Sequence, residues 1–154
     1  MLFRSTTSPK WRRQFCWWWS LPSNSDATLK IDLDDRLLTS TLNLSAAAPE
    51  RSPQGRSLLA SPSLVGTPAD TVRARESVAR SYNVMTSEVD LLTTTEVHHA
   101  LPALLPQATT SRAHTWNGIY MAGDYLTTPS IQGALVSGRR AAMLLMADLN
   151  RATH

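Results

Sequence analysis

Residues 118–145 read GIYMAGDYLTTPSIQGALVSGRRAAMLL, and the switch inside this stretch from a strand pattern to a helix pattern decides the class of the fold. Asn117–Ala122 is predicted as a short buried strand. It ends at Gly123-Asp124, so a carboxylate is delivered at the strand's C-terminal edge, where α/β proteins bind ligands. Pro129-Ser130 opens the longest helical pattern in the chain, Ser130–Leu149, and Ser130 is a good N-cap. The N–H groups of Ile131, Gln132 and Gly133 in the first turn have no intrahelical acceptor and make a site for negative charge. Gly133 carries no side chain, so a flat ligand can approach the backbone. Ala134, Ser137, Gly138, Ala141 and Ala142 fall mostly on one face, suited to close packing against a sheet or a cofactor. Leu135, Val136, Met143, Leu144 and Met146 fill the other buried directions. A helix packed on a strand, with Asp124 as a plain cap, accounts for the helix alone. It does not account for the ordered series Gly-Asp, Pro-Ser-Ile-x-Gly-Ala and Ser-Gly-Arg-x-Ala-Ala.

Upstream, Leu29, Ile31 and Leu33 alternate with Lys30, Asp32 and Asp34, the period of a half-buried strand. Leu38–Leu44 is a second apolar run closed by Ala48-Pro49. Pro53-Gln54-Gly55 marks a turn, and Ser57–Val65 reads as a returning strand whose Pro62 suits an edge or a bulge. Thr67-Pro68-Ala69-Asp70 opens a helix with Val72, Val78, Ala79 and Tyr82 as its buried stripe. Arg73, Arg75, Glu76 and Arg80 of that helix are left to water. Val89–Val97 is β-rich and stops at Ala100-Leu101-Pro102, and Pro106–Thr115 reads as a surface loop. No internal repeat is visible.

The whole chain has 154 residues, a net charge of +3, 42% hydrophobic and 18% charged residues. That suits one domain of ordinary size rather than a self-repelling disordered chain. No apolar stretch has the length of a membrane-spanning helix. The single cysteine, Cys16, excludes a cysteine-rich zinc module and an internal disulfide. Of the six glycines, the first is Gly55 and none forms the fingerprint of a dinucleotide- or phosphate-binding loop. Residues 1–20 carry Arg4, Lys10, Arg12 and Arg13 with no acid, which exceeds the surplus of the whole chain. They also hold Phe3, Trp11, Phe15, Trp17, Trp18 and Trp19. Four readings of residues 1–25 stand open: a disordered start outside the domain, an organelle transit peptide, a twin-arginine export signal around Arg12-Arg13, or a single-stranded nucleic-acid platform.

The segment from Gly118 onward resembles the C-terminal flavin-binding motif of the FAD-dependent amine oxidase and phytoene desaturase superfamily. Leu44–Pro49, Gly55-Arg56-Ser57-Leu58, Leu64-Val65-Gly66 and His99-Ala100-Leu101-Pro102 are similar to that family's substrate-domain strands and the strand returning to the flavin. The resemblance implies an α+β fragment: strands of a substrate domain, plus the last strand and C-terminal helix of an FAD-binding Rossmann-like domain. The implied division is a tail at 1–25, disordered or targeting, a partial substrate-binding domain at 26–115, the FAD-binding strand-loop-helix at 116–150, and a tail at 151–154. It implies FAD as cofactor and Gly123, Asp124, Ser130, Ile131, Gln132, Gly133 and Ala134 as its contacts. Asp124 would accept a hydrogen bond from a ribityl hydroxyl, and the helix start would face the pyrimidine edge of the isoalloxazine. The implied reaction is hydride abstraction from a C–H or C–N bond of a small organic or isoprenoid-like substrate. No catalytic residue is assigned, and no nucleic-acid partner or transmembrane segment is expected. The family's N-terminal βαβ unit has no counterpart here. The expectation is therefore a C-terminal fragment of a larger flavoprotein, inactive alone and without retained flavin absorbance near roughly 450 nm after dialysis. The alternative is a non-catalytic remnant or interaction module that keeps the fold without FAD. Localisation stays unassigned, organellar only if the first residues are a transit peptide.

Other constellations carry less. His98 and His99 are adjacent in a strand, so they face opposite ways and lack further ligands for a metal. Asp32, Asp34 and Asp35 read as an exposed turn rather than a cation site. Asn43-Leu44-Ser45 matches a glycosylation sequon inside a predicted strand. No metal site is expected.

Overall fold

The computed structural model describes residues 10–103, 114–116 and 118–152. These form a mixed α and β structure in two compact units, Arg12–Ala100 on one side of the division and Leu101–His154 with Met1–Trp11 on the other.

The first unit is built on a four-stranded sheet of order β2-β3-β1-β4. Its strands are β1 (Trp11–Pro22), β2 (Leu42–Asn43), β3 (Arg56–Ser63) and β4 (Asp90–Pro102); a four-residue helix α1 (Leu44–Ala47) follows β2, and α2 is Thr71–Tyr82. Strand β1 overturns the expected tail for residues 11–22. Alternation does the work: Phe15, Trp17, Trp19 and Leu21 are buried while Cys16, Trp18 and Ser20 are half-exposed. The antiparallel partner β3 places small residues opposite large ones, Ser63 against Phe15, Ser61 against Trp17 and Ser57 against Leu21. One of those serines, with two threonines, also satisfies the buried indoles. Trp19 Nε1 donates to Ser61 Oγ at 3.1 Å, and Ser61 Oγ shares a 2.9 Å bond with Thr41 Oγ1. Trp17 Nε1 donates to Thr71 Oγ1 at 3.0 Å. The tryptophans are thus buried with their polar edges satisfied, the condition for their large apolar area to stabilise a core. A Cβ on Gly66 would collide with the Trp17 ring, which explains the glycine there. Trp17 and Trp19, with no exposure, are removed as platforms for stacking bases.

Pro62 sits in a strand with neighbours on both sides, not at the sheet edge. Within a strand, N–H and C=O of one residue point to the same side. The Pro62 carbonyl accepts from Thr39 N–H at 2.8 Å, on the side where β2 has only two residues. The missing N–H therefore falls where no ladder partner is needed.

The strand expected over Leu29–Asp34 is absent apart from one bridge, Lys30 to Thr41. Asp26 accepts from the N–H of Thr28, Asp32 from those of Asp34 and Asp35, and Asp35 from that of Leu37. These local turns compete with a ladder and leave Leu29, Ile31 and Leu33 exposed. The predicted helix is present, opening with a 3-10 turn at Pro68–Asp70, where the Asp70 carboxylate accepts from both the N–H and the hydroxyl of Thr67. Its buried face is Ala74, Ser77, Val78, Ala79 and Tyr82; Val72 points outward. Its charged face is more than solvated. Arg73 pairs with Asp35 at 2.5 Å and Arg80 with Asp32 at 3.2 Å, while Ser77 Oγ donates to Asp32 at 2.8 Å. Asn83, left-handed at φ 53°, ends the helix.

The other unit contains β5 (His114–Trp116), β6 (Ile119–Met121) and α3 (Ile131–Ala152). Strands β5 and β6 form a two-stranded antiparallel ladder, so β6 is not a strand of a larger parallel sheet among the described residues. It is less buried than expected, with Ile119 exposed and Tyr120 and Met121 half-buried. His114 and Thr115 belong to β5 rather than to a loop, and residues 106–113 of the expected surface loop lie outside the described residues, as do residues 1–9 of the expected tail.

Candidate functional site

The site expected from the sequence lies between the end of β6 and the start of α3. After Met121 the chain extends through Ala122 and Gly123, then closes a 3-10 turn over Asp124–Leu126, with Thr127 N–H donating to the Asp124 carbonyl at 3.0 Å. The Tyr125 ring folds back on Gly123 so closely that a Cβ there would strike it. Gly123 N–H donates to Ser137 Oγ at 3.0 Å. That bond ties the strand end to the middle of α3 and uses the small face of the helix.

Ser130 caps α3 as predicted, its Oγ accepting from Gly133 N–H at 3.0 Å. The cap changes the expected anion site. Of the three N–H groups assigned to it, Gly133's is already satisfied, and the first-turn amides left without an intrahelical acceptor are those of Ile131 and Gln132. Gly133 is glycine for a reason internal to the chain. A Cβ there would collide with the Thr128 carbonyl oxygen and meet Thr127 Oγ1 at 2.7 Å, so it seats the loop rather than clearing a path for a ligand.

The structure brings Gly123, Ser130 and Gly133 into one hydrogen-bonded loop-and-helix assembly. Asp124 is half-buried beside it, and its carboxylate makes no side-chain hydrogen bond among the described residues. Ile131, Gln132 and Ala134 are exposed. Ser137, read only as a small residue in the sequence, is the buried acceptor that holds the strand end. Its signal was its position one turn after Gly133. Tyr120 OH donates to Asp148 Oδ2 at 2.8 Å, and this bond raises the tyrosine's pKa.

The remaining candidates are absorbed structurally. Among the described residues no group of three or more His, Cys, Asp or Glu is placed to hold a metal. His98 stands 3.8 Å from Glu96 on exposed β4. Asp32 and Asp35 have carboxyls held below the usual range, by the Ser77 hydroxyl first in one case and by the Arg73 guanidinium first in the other. Asn43 of the sequon is wholly buried, donating to the Asn24 carbonyl and accepting from Ala46 N–H and Ser45 Oγ. Burial pushes the Cys16 thiol up, which makes it a poor nucleophile. Among the described residues, no helix is long and apolar enough to cross a membrane.

No protein-family profile matches this chain, and no curated protein does. Solved structures share its fold. One is the PF1083 protein from Pyrococcus furiosus, 14% identical with a TM-score of 0.61, matched over 90% of this chain and 33% of its own. Another is an oxidoreductase from Methanosarcina mazei, 11% identical with a TM-score of 0.59, matched over 97% of this chain and 38% of its own. The chain thus spans 33% of the length of one and 38% of the other.

Proposed function

We propose that this chain supplies the flavin-facing strand-loop-helix of an FAD-dependent oxidoreductase of the amine oxidase and phytoene desaturase kind. The observation that carries the reading is the pairing of Asp124, next to Gly123, with the Ser130-capped start of α3 across the Gly123–Ser137 hydrogen bond. The oxidoreductase among the structural neighbours supports it at the level of fold. The residues present fit the flavin in part. A carboxylate with no side-chain hydrogen bond among the described residues suits a ribityl hydroxyl, and two exposed first-turn amides suit an electron-rich ring edge.

When bound, a flavin supplies the two-electron acceptor for a hydride leaving a substrate C–H or C–N bond. The chain's own part is positioning and charge. Asp124 would accept a hydrogen bond from a hydroxyl and so fix the ribityl chain. Ile131 and Gln132 N–H would donate toward negative charge that develops on the ring, in a direction set by the helix axis. Gly123 and Gly133 would hold the loop that spaces these groups, while Ser130 orients the first turn. Substrate contacts and the nucleotide half of the cofactor would come from outside the described site.

The test is an amide NMR titration of the chain with riboflavin and with lumiflavin, which lacks the ribityl chain. Both should shift the Ile131 and Gln132 amides. Asp124→Ala should weaken riboflavin about tenfold, the scale of one hydrogen bond to a charged acceptor, and leave lumiflavin unchanged. Shifts scattered elsewhere, or equal weakening of both ligands, would exclude the assigned roles and leave the segment as a packing element of a non-catalytic protein.

A further inference from the structure

The packed face of α3 buries only small residues, Gly133, Ser137 and Ala141, and Leu144 and Asp148 continue the same line half-buried. Small residues let a helix approach a strand closely, but they offer no ridge to lock its direction. Hydrogen bonds along this line supply the direction. Gly123 N–H donates to Ser137 Oγ at 3.0 Å, and Tyr120 OH of β6 donates to Asp148 Oδ2 at 2.8 Å. Three turns of helix separate Ser137 from Asp148, so the two share a face at about 16 Å from one another. Tyr120 and Gly123 are about 10 Å apart along extended chain, and the phenol side chain spans the rest. The order is antiparallel, with the later residue of the strand segment holding the earlier residue of the helix.

Held at Ser137 alone, the helix would pivot there. The first-turn amides of Ile131 and Gln132 lie about 8 Å to one side of that point and Asp148 about 16 Å to the other. A swing of about 2 Å at Asp148, enough to break its bond, therefore moves those amides about 1 Å in the opposite direction. That shift takes a donor out of hydrogen-bond range of a ligand held at Asp124. We propose that the Tyr120–Asp148 bond is a positioning contact: it fixes the tilt of α3 and thereby the span between Asp124 and the first-turn amides. Its effect on a flavin rests on the reading given above, whereas the tilt does not. Arg151 also pairs with Asp148, at 3.4 Å, but both lie on the helix in an exposed pair, which leaves the tilt untouched.

Tilt is read without ligand from amide residual dipolar couplings of the full chain. Tyr120→Phe and Asp148→Ala should both change the α3 couplings relative to those of the β5–β6 ladder, with helical amide shifts retained. Asp148→Asn, which keeps an acceptor oxygen, should preserve most of the original pattern, and Arg151→Ala should preserve all of it. An α3 direction unchanged in Tyr120→Phe, or changed equally in Arg151→Ala, would overturn the positioning role. Riboflavin, which the flavin reading places across Asp124 and the helix start, should bind Tyr120→Phe about fivefold more weakly, the scale of part of one hydrogen bond. Lumiflavin should bind it equally well. In an Asp124→Ala chain, Tyr120→Phe should cost riboflavin nothing further, and a loss that persists there would overturn the link between tilt and span. Absence of Ile131 and Gln132 shifts with either flavin in the parent chain would instead exclude the flavin reading, with the tilt judged by the couplings alone.

Discussion

Leu59 of β3 and Leu135 of α3 are the same side chain in two regular elements, yet the first has no exposure and the second keeps 69%. The contrast runs through their surroundings. In Arg12–Ala100 one set of large residues points inward, and Trp17, Trp19, Leu21, Leu59 and Val78 are fully buried in a common cluster. On α3 the large residues point outward and only a line of small ones is buried, with Leu126 of the preceding turn buried beside them. The first arrangement makes a core by itself. The second makes a close fit to one strand-loop and leaves apolar surface for something else to cover. The large buried core and the proposed site are divided along the same line, since every residue of the candidate site lies in the unit that holds α3.

The largest test of this division is Trp17→Ala. It deletes a fully buried indole, its bond to Thr71 and its contact with Gly66, and should cost about 3–5 kcal/mol, seen as an earlier urea midpoint in the fluorescence of Trp19. If α3 is a separate cooperative unit, hydrogen exchange of its amides should barely change. Equal loss of protection in both regions would merge them.

Gly133→Ala tests the other side. The new methyl meets the Thr128 carbonyl, so the loop or the first turn must move, at about 1–3 kcal/mol. Exchange should accelerate from Ile131 through Ser137 while the sheet amides hold. An unchanged first turn would mean that the loop yields freely and does not set the site.

Acid provides a third probe, specific to the first unit. Asp32 and Asp35 have folded pKa values below their unfolded value of about 3.9. A depressed carboxyl contributes stability above the unfolded value and loses it as pH falls through the folded one, so the α2 contacts should weaken below about pH 4. Asp32→Asn should flatten that acid limb, at a cost near neutrality of about 1 kcal/mol from the weakened Ser77 and Arg80 bonds. An acid limb of unchanged steepness would assign it to other carboxyls.

The two regions also differ in how much the sequence disclosed. At the C-terminus, Pro129-Ser130 and the long helical pattern located α3 closely, because caps and helix periodicity are local signals. The alternation Phe15, Trp17, Trp19, Leu21 is just as local, but charge and aromatic clustering around it suggested a tail. What makes it a core strand is the Ser57, Ser61 and Ser63 series on a strand distant in sequence, whose hydroxyls reach the Asn24 backbone, the Trp19 indole and the Leu37 carbonyl. The Leu29–Asp34 alternation misled in the opposite sense, since side-chain bonds from three aspartates outcompeted the ladder. At the site, Ser130 was legible as a cap, but its consumption of the Gly133 amide was not, nor was Ser137's hold on Gly123, which depends on how the helix lies against the strand end.

The smallest effect is the most discriminating between the two glycines of α3. Gly138→Ala adds a methyl into open space, so in the dilute single chain it should only reduce the entropy lost on helix formation, slowing α3 exchange by a gain of up to about 1 kcal/mol. Gly133→Ala, five residues earlier in the same helix, should do the reverse. The opposite signs follow from one geometric fact, that Thr128 stands over one glycine and nothing among the described residues stands within 4 Å of the other. Loss of protection in dilute Gly138→Ala would show that its face is covered within the single chain, and the contrast between an inward-built unit and an outward-facing helix would then have to be redrawn at that residue.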